Sequence, residues 1–239
     1  MKRITIPERF GYPTVDIYVN NTTYTLKTGE EITIDDHVAE IIENAIALAP
    51  KQGRNISKLA QFVEGCIEEI SAVELDGCTV INAYAFCMCD NLHTVNIPSS
   101  VVNIKDRAFS SCNKLKTVNF AKDSKLETIG AGAFIYDYEL SYANIPNGIK
   151  TIGDTAFAYC YGLSTITIPE SVETIGSGGF STCKGLSRVI MRATTPPSIQ
   201  ANTFLEVPAD CKFEVPSVAV DAYKAAPNWS ALANRIIGK

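Results

Sequence analysis

IGDTAFAYCYGLSTITIPESVETIGSGGFSTCKGLSRVIM, residues Ile152–Met191, says nearly the same thing twice. Each half runs Ile-Gly, a small residue, Phe, Cys, Leu and then an alternation that carries β-branched residues. Aligning the whole chain on phenylalanine extends the pattern. Phe86, Phe109, Phe134, Phe157, Phe180 and Phe204 are separated by 23, 25, 23, 23 and 24 residues. Three residues after the ring come Cys89, Cys112, Asp137, Cys160 and Cys183, and six after it Leu92, Leu115, Leu140, Leu163 and Leu186. Nine after it come Val95, Val118, Ala143, Ile166 and Val189, and eleven after it Ile97, Phe120, Ile145, Ile168 and Met191. A fixed period of this length marks a solenoid, in which no unit buries its apolar face alone and stacked units bury a continuous core.

The physics of one unit is local. L-x-x-V-x-I alternates apolar and polar residues, so it predicts a short strand with one buried face. Pro98, Pro146 and Pro169 follow that strand and end it, since proline has no N–H for a ladder. The steps Ile129-Gly130, Ile152-Gly153 and Ile175-Gly176 predict a turn, where a left-handed residue is convenient. The small-Phe-x-x-Cys segment predicts one helical or 310 turn that drives the ring inward. The strands are expected to form a single parallel sheet.

The pattern V-x-x-I-G-x-x-A-F-x-x-C-x-x-L-x-x-V-x-I-P-x-S resembles the BspA-like leucine-rich repeats of bacterial surface proteins. The resemblance covers about residues 66 to 204, and IGDTAFAYCYGLSTITIPESV is close to the family pattern. It implies a mainly β repeat solenoid with short helical turns, of bacterial origin, that binds host proteins or associates with surfaces.

The ends of the chain differ from the repeats. Residues 53–204 are assigned to the solenoid, where Ile70, Val73 and Leu75 start a degenerate first unit. Residues 205–239 are assigned to a C-terminal cap. Phe213 and Val215 read as its last strand, and a helix broken at Pro227 brings Tyr223, Trp229 and Leu232 to cover the open end. Residues 1–52 form a small α+β leader, either a cap or an attachment module. Val15, Ile17 and Val19 alternate, Asn20-Asn21 turns the chain, and Tyr24 and Leu26 return as a hairpin. A helix with its N-cap at Asp35 or Asp36 stops at Pro50, and a second helix is expected from Ile56 to Ile70. The stretch YTLKTGEEITIDDHVAEIIENAIALAP is similar to leaders of bacteriophage and prophage structural proteins, which implies a virion role as the alternative reading.

Composition narrows the function. Hydrophobic residues make up 46% of 239 residues, enough for a sizeable core. Net charge is −5 and no basic stripe is visible, which argues against nucleic-acid binding. No apolar run reaches the length of a membrane span, so no membrane insertion is expected. The opening MKRITIPERFGYPT has no apolar segment behind its basic residues and does not read as a signal peptide. That leaves cytoplasmic synthesis with virion assembly, or a surface protein whose signal has been removed.

Residues that carry chemistry are mostly absorbed by the repeat. Cys89, Cys112, Cys160 and Cys183 share one register and predict a buried column of thiols, since parallel neighbours are poorly placed for disulfides. Cys66, Cys78, Cys87 and Cys89 match no zinc spacing. The two histidines, His37 and His93, lack an acid and nucleophile arranged around them. GAGAF at 130–134 and GSGGF at 176–180 are the repeat's own turn, with no Lys-Ser/Thr following. No catalytic residue, cofactor or metal is assigned.

Two faces remain as candidates for a protein or glycan partner. On the sheet, one outward column is Thr94, Thr117, Tyr142, Thr165 and Arg188, and the next includes Asn96, Asn119 and Asn144. On the turns, Tyr136 and Tyr159 share one repeat position and Tyr138 and Tyr161 another. Other units place Met88, Ser111 and Thr182, or Asp90, Asn113 and Lys184, at these positions, a variety that core sites do not tolerate. The tyrosines are therefore expected outside, where gathered aromatics signal binding. The sequence predicts a non-enzymatic recognition or adhesion module that works through its solenoid faces.

Overall fold

A strand that alternates β-branched and polar residues buries one face and shows the other. The chain does this once per repeat. The computed structural model describes residues 2–5, 14–19, 22–27, 31–34, 72–75, 79–90 and 92–239. Near the N-terminus, β1 (Lys2–Thr5), β2 (Thr14–Val19), β3 (Thr22–Lys27) and β4 (Glu31–Ile34) form two antiparallel pairs. β2 and β3 make the expected hairpin, with Val15 opposite Leu26 and Ile17 opposite Tyr24. β1 pairs with β4, a pairing that nothing in the alternation announces. The helices expected over 35–50 and 56–70 lie outside the described residues, as do His37, Cys66 and Cys78.

The repeats build two parallel ladders. The longer strands are β5 (Ala72–Glu74), β7 (Thr94–Ile97), β9 (Thr117–Phe120), β11 (Tyr142–Ala143), β13 (Thr165–Ile168) and β15 (Arg188–Met191), followed by β16 (Lys212–Val215) and β17 (Ile236–Gly238). Alternating with them are the two-residue strands β6 (Val80–Ile81), β8 (Asn103–Ile104), β10 (Thr128–Ile129), β12 (Thr151–Ile152) and β14 (Thr174–Ile175). The equivalents Val73, Val95, Val118 and Ala143 face one another in register, as do Ile166 and Val189.

The single sheet expected for the longer strands is interrupted. β5 to β11 form one four-stranded sheet, and β13, β15, β16 and β17 form another. The break follows β11, which is cut short at Asn144. The chain leaves the ladder after Ala143, and the Asn144 side-chain amide takes over from the backbone. Its Oδ1 accepts from the Phe120 N–H at 2.8 Å and its Nδ2 donates to the Phe120 carbonyl at 3.2 Å. A side-chain amide that mimics a peptide satisfies Phe120, so the strand is not required to continue.

The Ile-Gly steps are not left-handed turns. Their isoleucines belong to the five-stranded ladder of β6, β8, β10, β12 and β14. Gly153 has no positive φ. It is glycine because the coils approach there: a Cβ would lie 2.7 Å from the backbone nitrogen of Ala131. The left-handed residues occur elsewhere, two before and two after the phenylalanine. Arg107, Thr155, Ser111, Tyr136 and Tyr159 have φ values of 54°, 51°, 62°, 65° and 63°.

That alternation also replaces the expected helical or 310 turn. In the segment around Phe134, every second N–H leaves the coil. Gly132, Phe134 and Tyr136 donate to the carbonyls of Asp154, Ala156 and Ala158 on the next coil, at 2.7, 2.8 and 3.0 Å. The N–H groups between them close tight turns, as Ala133 does onto Gly130 and Ile135 onto Gly132. The turn thus hydrogen-bonds along the solenoid axis, as the strands do, and the backbone is satisfied on every side of the coil.

The side chains inside follow from this register. Phe86, Phe109, Phe134, Phe157, Phe180 and Phe204 stack in one column, with centroids 5.1 to 5.6 Å apart and planes within 12°. Beside them Cys112, Cys160 and Cys183 are fully buried thiols. Each donates from Sγ to the carbonyl of a phenylalanine one coil earlier, namely Phe86, Phe134 and Phe157, at 3.1, 3.3 and 3.1 Å. Burial raises the pKa of all three, that of Cys183 to about 12.

The C-terminal end is covered as the sequence predicts, with one more strand than expected. β16 is followed by a 310 turn (Ser217–Ala219), by α1 (Val220–Ala225), by a 310 segment (Ser230–Arg235) and then by β17. Tyr223 and Trp229 are fully buried against each other, and Trp229 also meets Phe204 and Phe213. The Tyr223 hydroxyl donates to the carbonyl of Ala193 and the Trp229 indole N–H to that of Pro197, at 3.0 and 2.8 Å. Leu232 packs only partly buried beside them.

Candidate recognition face

The four tyrosines come together because register places them so. Residues at one repeat position on adjacent coils are direct neighbours. Tyr136 lies 4.8 Å from Tyr159 and Tyr138 lies 5.1 Å from Tyr161, ring centre to ring centre. Within each coil the rings are 6.2 and 6.3 Å apart, so the four close a square. Tyr136 and Tyr159 are half-buried, whereas Tyr138 and Tyr161 are 40% and 36% exposed. Packing among the rings and exposure to solvent therefore occur together.

Tyr161 has both ring faces occupied. Tyr138 and Tyr161 stack with planes 28° apart, and the Lys184 ammonium sits 5.2 Å above the Tyr161 ring. Lys184 holds the same repeat position one coil further on. The sequence places it there but does not reveal this contact. On the preceding coils the same position carries Asp90 and Asn113, whose side chains hydrogen-bond to each other at 2.8 Å.

The sheet columns are less available than their polarity suggests. Asn119 donates to Asn96 at 3.0 Å, and the Asn144 amide is committed to Phe120. Asn96 and Asn119 do line an open cleft of about 470 Å³ with Pro98 and Phe120. Thr94, Thr117 and Thr165 are half-buried, while Tyr142 stands 53% exposed at the break between the sheets. Arg188 lies 3.6 Å from Glu214, which also pairs with Lys239 at 2.8 Å. The tyrosine square and the sheet columns are distinct sites, one on the turns of two adjacent coils and one on the strands.

Inside the coil, one position breaks the thiol column. Asp137 is fully buried where its equivalents are cysteine. Its Oδ1 accepts from the Cys112 N–H at 2.7 Å and its Oδ2 has no partner. Desolvation pushes its pKa well above the ordinary carboxylate value. Among the described residues, no three His, Cys, Asp or Glu side chains converge as metal ligands. Among the same residues, no helix is long and apolar enough to cross a membrane. His93 is half-buried just before β7.

The coils, ladders and cap define a leucine-rich-repeat β-solenoid. The chain belongs to the BspA type leucine rich repeat family, whose pattern it matches in six copies over residues 60–209. Solved structures resemble it. A leucine-rich repeat protein of T. pallidum is 25% identical, over 71% of this chain and 86% of its own, with a TM-score of 0.50. A leucine rich cell surface protein from Faecalibacterium prausnitzii is 34% identical, over 51% of this chain, with a TM-score of 0.48. This chain spans only 32% of that protein's length. A leucine-rich repeat protein from Bacteroides ovatus is 24% identical over 63% of this chain and 51% of its own, with a TM-score of 0.42. No curated protein matches the chain.

Proposed function

We propose that this chain is a non-enzymatic recognition module that holds a protein partner on the tyrosine square and works in adhesion. Membership of a leucine-rich repeat family supports the general reading, since such solenoids typically serve as binding surfaces. The square supports the particular one. Sugar rings are gripped by open aromatic faces, but here Tyr138 and Lys184 cover the faces of Tyr161. Tyr161 is left with its edge and hydroxyl beside the Lys184 charge, the kind of surface that tyrosine-rich protein interfaces use. A glycan bound by stacking fits this arrangement less well. The virion reading of the leader gains no support from any relative found.

The test is binding of the purified chain to panels of immobilised surface proteins and glycans. Saturable binding to a protein is expected, and Tyr138→Ser with Tyr161→Ser together should abolish it while the melting temperature hardly moves. Binding confined to glycans, or binding that survives the double change, would remove the square as the protein-recognition site.

A further inference from the structure

The geometry points to a modification site. Tyr138 and Tyr161 form an oxidative cross-link site, at which a one-electron oxidant of the peroxidase class, with hydrogen peroxide as final electron acceptor, joins the two phenols as dityrosine. This does not rest on the partner reading, since the reaction needs no partner.

Three observations carry it. The backbones are fixed next to each other, because the Gly162 N–H donates to the Tyr138 carbonyl at 3.0 Å. The rings stack at 5.1 Å with planes 28° apart, which holds the two phenols side by side. Both rings are more than a third exposed, which gives an oxidant access and leaves them room to turn edge to edge. Among the described residues no other tyrosine pair combines these features. Tyr136 and Tyr159 are as close but half-buried, and Tyr84 and Tyr142 are exposed with no described tyrosine ring against them. Trp229, Tyr223 and the thiols of Cys112, Cys160 and Cys183 are buried away from a surface oxidant.

The chemistry balances. Each phenol gives up one electron and one proton, so two phenoxyl radicals form. They couple by a new carbon–carbon bond between their ortho positions. Each ring then moves its ortho proton to its own oxygen and regains aromaticity. The pair has lost two electrons and two protons in all, and one hydrogen peroxide takes them up to become two waters. The bond joins residues 23 apart in sequence and closes a loop across one coil boundary. Such a loop restricts the unfolded chain and should raise stability.

The experiment treats the dilute full chain with a heme peroxidase and hydrogen peroxide. The monomer should gain dityrosine fluorescence, lose two hydrogen atoms by intact mass, and yield a proteolytic fragment that joins the peptides of Tyr138 and Tyr161. Its melting temperature should rise. Tyr138→Phe and Tyr161→Phe should each abolish the monomer's fluorescence, because phenylalanine forms no phenoxyl radical, while Tyr84→Phe should keep it. Peroxide without the peroxidase should give no link. A link mapped to Tyr136 and Tyr159, coupling only between chains, or full monomer fluorescence in the Tyr138→Phe chain overturns the proposal.

Discussion

The Asp137 carboxyl takes the backbone N–H of Cys112 at 2.7 Å and leaves its second oxygen without a partner inside the thiol column. Burial raises its pKa in the fold. The folded state therefore holds a proton that the unfolded chain begins to release near pH ~4. Stability is full below that pH and falls as pH rises from there toward the folded-state value. Asp137→Asn keeps the acceptor for Cys112 and removes the titration, so its melting temperature should fall less than the wild type's between about pH 4 and neutrality. Asp137→Cys restores the residue used on the neighbouring coils. At neutral pH it should stabilise the chain by roughly 1–3 kcal/mol, the usual penalty of a badly satisfied buried polar group. Parallel pH–melting curves of the three proteins decide the matter.

Asn144 is predicted to act on the fold and not on a ligand. Asn144→Ala leaves the Phe120 N–H without its acceptor in a part-buried setting. The expected loss is about 1–3 kcal/mol in chemical denaturation. Amide hydrogen exchange at Phe120 should accelerate as well. Unchanged exchange would mean that water replaces the side chain at no penalty.

Gly153 has space for no side chain, because a Cβ would meet the Ala131 nitrogen at 2.7 Å. Gly153→Ala should therefore destabilise by roughly 1–3 kcal/mol, as overpacking does. This opposes the stabilisation that alanine brings where backbone geometry alone is at issue. Equilibrium unfolding gives the sign directly.

Phe157 is fully buried and stacks on Phe134 and Phe180 at 5.2 and 5.3 Å. Phe157→Ala should remove about 3–5 kcal/mol. In a solenoid the loss is local, so hydrogen exchange should rise first on the adjoining coils. A uniform rise across all coils would show that the array unfolds as one unit.

Much of this architecture can be read from the sequence, because a solenoid writes its register at a constant spacing. The phenylalanine, cysteine, leucine and valine columns fall where the count from each Phe places them, and Tyr223 and Trp229 seal the end. The tyrosine square is legible for the same reason, since equal repeat positions become neighbours. Four features were hidden by the local reading of residues. Ile-Gly looks like a turn, yet its glycine answers a contact made by a coil 22 residues earlier in sequence, at Ala131. The left-handed positions carry Arg107, Thr155 and Tyr159, which do not announce that conformation as glycine does. The early end of β11 after Ala143 goes with an asparagine amide that turns back to Phe120, and periodicity does not record that. Lys184 above Tyr161 is similar, since the register gives adjacency but not the direction of a long side chain.

The cap distinguishes two kinds of boundary in the array. Tyr223, Trp229 and Asn228 reach the carbonyls of Ala193, Pro197 and Ile199, so the terminal piece is fitted to the last coil alone. Away from the break between β11 and β13, an interior coil presents its two neighbours with equivalent donors and acceptors. A duplication or deletion of one whole unit upstream of residue 180 would carry the last coil and its lid along as a block. Lineages can therefore change the reach of this protein by recombination within the gene, without inventing a new terminus. The tyrosine square, which spans two adjacent units, would be copied or divided according to where the crossover falls.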